Sequence, residues 1–205
     1  MHMFDLHIHA QEDNWRLFNI RAKDPRFKDY KEKILKRDDH KCQFCGFVAK
    51  SFMEVVNLDH NYHNNKSTNL VTSCPMCRHS MFLEMTGHTT YGGGLMIYLP
   101  EMSQNDVIGL THTAFCAQQS TDTYQSICDN LFSTLKLRAK HVEKYYGKGY
   151  SKPSLLGQLM IDTPTKNRNQ LHAEIKKNIR YLPDPLLYKD QILVWSKETD
   201  TEDKS

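Results

Sequence analysis

An α+β fold is what this sequence predicts: a small cysteine-stapled module with an N-terminal strand, then a mainly helical second half. Two C-x-x-C pairs, Cys42/Cys45 and Cys74/Cys77, lie in the first half. Apolar and polar residues alternate there over short stretches, the period of half-buried strands. From Ser103 onward apolar residues recur three and four apart, the spacing of helices. A length of 205 residues suits one domain of ordinary size. Residues 1–100 are expected to form the metal-type module, 101–196 a helical region packed on it, and 197–205 a disordered tail.

In chain order, Phe4, Leu6 and Ile8 alternate with Asp5 and His7, which predicts a strand over 4–8. Phe27, Tyr30 and Ile34 share one face of a helix expected over 27–37. Residues 42–46 form a knuckle-like turn, 55–58 a strand, and the polar stretch 61–69 a loop. Glycines at 92–94 turn the chain into a strand over 95–99, which Pro100 ends. Ser103 with Asp106 three residues on is a helix-capping signal, followed by Val107, Leu110, Ala114 and Ala117 at helical spacing. Cys128, Leu131, Phe132, Leu135, Ala139, Val142 and Tyr146 form one long stripe, with Gly147 as its stop. Two shorter helices are expected over 154–161 and 168–181; the apolar segment 187–195 fits either helix or strand.

Composition excludes several classes. Hydrophobic residues make up 39% and charged residues 25%, which is ordinary for a globular chain. Glycine (9) and proline (7) are too few for a collagen-like or low-complexity chain. No run approaches the ~18 apolar residues of a spanning helix, and the N-terminus lacks the basic start and apolar core of a secretory leader. The expected setting is therefore the cytoplasm, with no direct membrane insertion. A net charge of +3 is too small to imply a polyanion, so no nucleic-acid partner is expected. The charge is uneven: 21–41 and 136–152 are basic, and 197–205 is acidic. The tyrosine-rich basic stretch 136–150 is a candidate edge for an acidic peptide, because tyrosine favours interfaces.

The cysteine spacing carries the most specific signal. A two-residue gap lets both sulfurs of a pair grip one ion from a tight turn, and Gly46 suits that turn. Four thiolates complete a tetrahedron with no open position for water. Cys42, Cys45, Cys74 and Cys77 are therefore the expected ligands of one structural zinc ion. No catalytic and no organic cofactor-binding residue is assigned. Cys116 and Cys128 sit in helical apolar stretches and read as small buried hydrophobes.

Around the cysteines runs a second pattern. Val55–Asp59–His60, then Asn69–Val71, then Cys74–Cys77 resembles the zinc-stapled HNH (ββα-metal) nuclease module. The resemblance implies a ββα fold in which an acid–His pair, here Asp59 and His60, would hold a divalent ion and activate water, with Asn69 on the adjoining loop. The family's second metal-binding His falls at Arg78, and an arginine cannot ligate a cation. His79 is one residue on, about 100° around a helix, and His63 is a further substitute. Asp5-Leu-His7-Ile-His9 imitates the opening of an amidohydrolase-type metal site. That class needs later His/Asp clusters and a longer barrel, so His7 and His9 read as polar residues of a strand face.

A wider resemblance covers roughly residues 13–165. Segments 34–47, 54–59, 64–74, 91–104 and 155–162 together resemble the IcmJ (DotN) family of the Dot/Icm type IVB secretion system. It implies a zinc-bearing, non-enzymatic adaptor at the cytoplasmic face of the inner membrane. Such a subunit binds the C-terminal tail of the coupling ATPase DotL, beside DotM and the IcmS–IcmW pair, and supports export of effector proteins. The alternative is a metal-dependent HNH endonuclease acting on DNA.

Overall fold

The computed structural model describes residues 4–88, 92–117 and 122–202, the side chains of 122 and 199–202 apart. The chain enters as an extended segment. Leu6, Ile8 and Ala10 are buried and the residues between them are not, so the predicted alternation holds. The segment is not a sheet strand, however. Its amides go to scattered acceptors: Phe4 N to Gln43 O (2.9 Å), His9 N to Ser80 O (2.9 Å) and Leu6 N to the side chain of Asn105 (2.8 Å). Alternation needs only an extended backbone with one buried side.

Helix α1 (Asn14–Lys23) and helix α2 (Pro25–Arg37) follow. Asp24 caps α2 by accepting from Arg26 N at 2.9 Å, and Pro25 sits at the first helical position, where no amide is needed. Strands β1 (Glu54–Asn57) and β2 (Leu70–Ser73) pair antiparallel, Glu54 opposite Ser73 and Asn57 opposite Leu70. Helix α3 (Pro75–Ser80) follows directly, completing the ββα order. Arg21 is buried and ties α1 to this unit, donating to Val55 O (2.7 Å) and Asn65 Oδ1 (2.9 Å) while its guanidinium lies 4.5 Å over the Phe27 ring.

The second half interlocks with the first through a second sheet. Strand β3 (Gly94–Tyr98) pairs antiparallel with β4 (Ile179–Pro183), so hydrogen bonding crosses the boundary expected at residue 100. A side chain at Gly94 would meet Leu182 O at 2.0 Å, which is why glycine stands there. Helix α4 (Gln104–Ala117) starts in the predicted box: Ser103 Oγ donates to Asp106 (2.6 Å) and accepts from Asp106 N (3.1 Å). Gln104 extends the sheet with its side-chain amide, giving to Tyr181 O (2.9 Å) and accepting from Tyr181 N (2.8 Å).

The long stripe from Cys128 to Tyr146 is two helices rather than one: α5 (Asp122–Leu137) and α6 (Ala139–Tyr146). The break falls at Arg138, whose carbonyl accepts from Tyr98 N at the edge of β3 (3.4 Å) and whose side chain pairs with Glu101. Gly147 ends α6 at φ 108, as expected. Helix α7 (Pro153–Asp162) packs on the turn at Leu83–Met85. Helix α8 (Thr165–Asn178) ends earlier than predicted, because Ile179–Tyr181 belongs to β4. The ambiguous segment becomes a turn at Pro185–Tyr188 and helix α9 (Lys189–Glu202). That helix enters the stretch expected to be disordered from 197; residues 203–205 lie outside the described residues. Cys128 is buried as predicted, but Cys116 is exposed. No helix among the described residues is long and apolar enough to cross a membrane.

Candidate metal centre

The first cysteine pair sits on a tight knuckle. Cys42 N donates to Phe47 O (2.8 Å), Gly46 N donates to Cys42 O (3.0 Å), and Gly46 takes φ 79. Lys41 and Val48 close the knuckle as a bridge. The knuckle is docked onto β2 next to the second pair: Gln43 N donates to Thr72 O (2.9 Å), and the Asp38 carboxylate accepts from Thr72 N (2.8 Å). Cys74 follows β2 and caps α3, its sulfur accepting from Cys77 N (3.5 Å). Two hydrogen bonds to one strand residue thus bring sulfurs distant in sequence together.

All four sulfurs lie within 4.8 Å of one another, and Cys45 Sγ is 3.7 Å from Cys74 Sγ. A tetrahedron with bonds of about 2.3 Å has edges of about 3.8 Å, so the donor set fits a single thiophilic ion. Cys42, Cys74 and Cys77 are buried and Cys45 is partly exposed; all four are free thiols. Burial and crowding push the Cys74 and Cys77 thiols well up. Burial raises Cys42 too, but S–H donation from its three neighbours outweighs it and leaves its thiol low. A bound cation would let four crowded sulfurs ionise together. Among the described residues, these cysteines alone form a group of three or more His, Cys, Asp or Glu placed to share an ion.

Sequence reasoning missed the wall around this cluster. His112 on α4 is buried, with Nε2 3.3 Å from Cys74 Sγ; burial pushes its pKa down to about 4. Its ring lies flat on Phe47 of the knuckle, centroids 3.8 Å apart and planes 9° apart. Trp195 of α9 meets Phe47 edge-on (4.9 Å) and donates from Nε1 to Ser51 O (3.1 Å). The Glu198 carboxylate takes the amides of Lys50 (2.9 Å) and Ser51 (3.1 Å). The one hint in the sequence was the spacing of His112 four residues after Ile108, at the border of the buried face of α4.

The HNH-like residues are brought together, but for internal bonding. The Asp59 carboxylate accepts from Asn61 N (2.9 Å), Asn69 Nδ2 (2.8 Å) and Asn64 Nδ2 (2.7 Å), while Asp59 N donates to Asn69 Oδ1 (3.1 Å). Burial opposes ionisation of Asp59, but these donors win and hold its pKa low. His60, at φ 56, stacks on His9 with centroids 3.9 Å apart, so the decoy motif supplies its neighbour. Burial next to His9 drives the His60 pKa down to about 3. His7 is half-buried and His63 is exposed on the loop.

Arg78 stands where the HNH resemblance implies a second ligand. Its guanidinium lies 5.6 Å from both the Trp15 and Phe18 rings of α1 and 2.7 Å from His79 Nε2. His79 is bonded to the buried tyrosines: its Nδ1 is 2.5 Å from Tyr188 OH, which bonds Tyr181 OH at 2.9 Å. Since Arg78 can only donate, Nε2 accepts and Nδ1–H is the donor to Tyr188. Elsewhere, Tyr145 is 69% exposed and stacks on Tyr98 at 6.4 Å, on the helix that carries the exposed Lys140 and Lys144.

A ββα unit closed on four clustered cysteines, with helices packed around it, defines an α+β protein built on a centre able to hold a metal ion. No protein-family model matches the chain. It is 42% identical over 192 residues to the Type 4 apparatus protein DotN of Legionella pneumophila subsp. pneumophila (strain Philadelphia 1), covering 94% of this chain and 89% of that protein. At that identity and coverage the chain belongs to the DotN family.

Proposed function

We propose that this chain is a non-enzymatic adaptor subunit of a type IVB secretion coupling complex, stapled by one structural zinc ion on Cys42, Cys45, Cys74 and Cys77. The observation that carries the reading is the 42% identity, across nearly the whole chain, to a type 4 apparatus protein. Its partner is the C-terminal tail of a DotL-like coupling ATPase, in one assembly with DotM and IcmS–IcmW, at the cytoplasmic face of the inner membrane. The ridge of Lys140, Lys144 and Tyr145 supports a role in holding a peptide: exposed cations recruit acidic segments, and an exposed tyrosine anchors them.

The bonding of Asp59 supports the non-enzymatic part. A carboxylate already accepting three hydrogen bonds, with arginine where a second ligand belongs, is a poor seat for a catalytic cation. The endonuclease alternative keeps only the acid–His–Asn outline in its favour.

Titration calorimetry of the purified chain with the DotL-like tail of the same organism tests the adaptor: saturable binding is expected, and none would contradict it. In parallel, plasmid nicking with added Mg, Mn or Ni is expected to be absent. Nicking that disappears in His60→Ala would establish the nuclease instead.

A further inference from the structure

The four cysteines do not exhaust the metal centre. His112 reaches a cluster sulfur, its Nε2 3.3 Å from Cys74 Sγ, and is buried at 6% exposure. Its orientation is imposed from both sides. The flat stack on Phe47 fixes the ring plane, Trp195 closes the side towards α9, and helix α4 holds the backbone.

The chemistry of the contact sets its direction. A metal-bound thiolate has no proton to give, so the nitrogen facing it must carry the hydrogen. Cys74 Sγ then accepts two hydrogen bonds, one from His112 and one from Cys77 N at 3.5 Å. A tetrathiolate zinc centre carries two net negative charges, and burying them uncompensated is costly. A donor to one sulfur withdraws part of that charge and fixes the position of the ligand.

We propose that His112 is a positioning residue of the metal centre, its Nε2–H bond to Cys74 raising metal affinity and withdrawing charge from that sulfur. The inference rests on reading the four cysteines as a metal site. It adds that the site extends to α4, and through the Phe47–Trp195 contact to α9.

Full-length wild type, His112→Phe and His112→Gln separate the possibilities. Phenylalanine keeps a flat ring against Phe47 but has no donor; glutamine restores an N–H. Two quantities are measured: metal affinity by competition with a chromogenic chelator, and the sulfur-to-cobalt charge-transfer band after Co(II) loading. The expected result is a loss of about 10- to 100-fold in affinity for His112→Phe. Its band should move to longer wavelength, since a sulfur relieved of its hydrogen bond gives up charge more readily. His112→Gln should recover most of both.

Wild-type affinity and band in His112→Phe would overturn the inference. So would a weakened affinity with an unmoved band that glutamine does not rescue, because that is a packing defect. A wild-type chain that binds neither Zn(II) nor Co(II) would overturn the metal reading itself, which this comparison shows separately from any effect of the variants.

Discussion

Glu84 shows at the scale of one residue how much a buried group can cost. Its carboxylate oxygens are both buried, and burial, only partly offset by the backbone amides of Glu84 and Gln11, pushes its pKa up to about 7. In the unfolded chain it titrates at 4.5. The folded state therefore binds the proton more tightly, and stability falls as pH rises from 4.5 to 7. Glu84→Gln mimics the protonated form. It is expected to stabilise the protein by at most about 3 kcal/mol at pH 8, with roughly half that gain at pH 5.5. Denaturant titration at the two pH values checks this; a gain that is equal at both, or no gain at pH 8, would contradict it. Nothing in the sequence around Glu84 announces its burial, which comes from α7 closing over the turn. The four cysteines were legible because a chelating turn demands fixed local spacing. His112 was not, because its partner lies 38 residues away and only the tertiary fold brings them together.

At the scale of elements, local pattern governed where packing agreed with it. The capping box at Ser103, the helix over Pro25–Arg37 and the stop at Gly147 all depend on neighbours in sequence, and all appear. Two misreadings fall where a sheet edge intervenes. Leu171, Ile175 and Ile179 continue a helical spacing, yet Ile179 leaves the helix because Tyr98 of β3 offers it a partner. The same strand takes the carbonyl of Arg138 and breaks the long stripe, although its apolar residues stay buried on both sides of the break. Helix α7 shows how tight such packing is: a side chain on Gly157 would stand 2.5 Å from Glu84 N and 2.8 Å from Leu83 C. Both atoms are backbone and cannot swing aside. Gly157→Ala is expected to cost about 1–3 kcal/mol, against the small gain alanine brings to an exposed helix position. A thermal melt reads the difference; an unchanged or raised midpoint would show that the turn yields.

For the molecule as a whole, the cysteine cluster is the knot. It joins the knuckle to the end of β2, His112 brings in α4, and Trp195 brings in α9, so elements from both halves meet around it. Binding of a metal to four such sulfurs supplies on the order of 10 kcal/mol to folding, comparable with the whole stability of a domain. That the two cysteine pairs would meet in one cluster could be read from their spacing. That Asp59 beside them would be bonded to its own loop could not, since Asp59, Asn64 and Asn69 look the same in sequence whether they face a cation or one another. X-ray absorption at the zinc edge of the purified wild-type chain tests the central claim most directly. One zinc per chain surrounded by four sulfurs at about 2.3 Å, with no oxygen or nitrogen in the shell, is the predicted result. A chain that folds without zinc, or a zinc whose shell contains nitrogen or oxygen, would contradict the account.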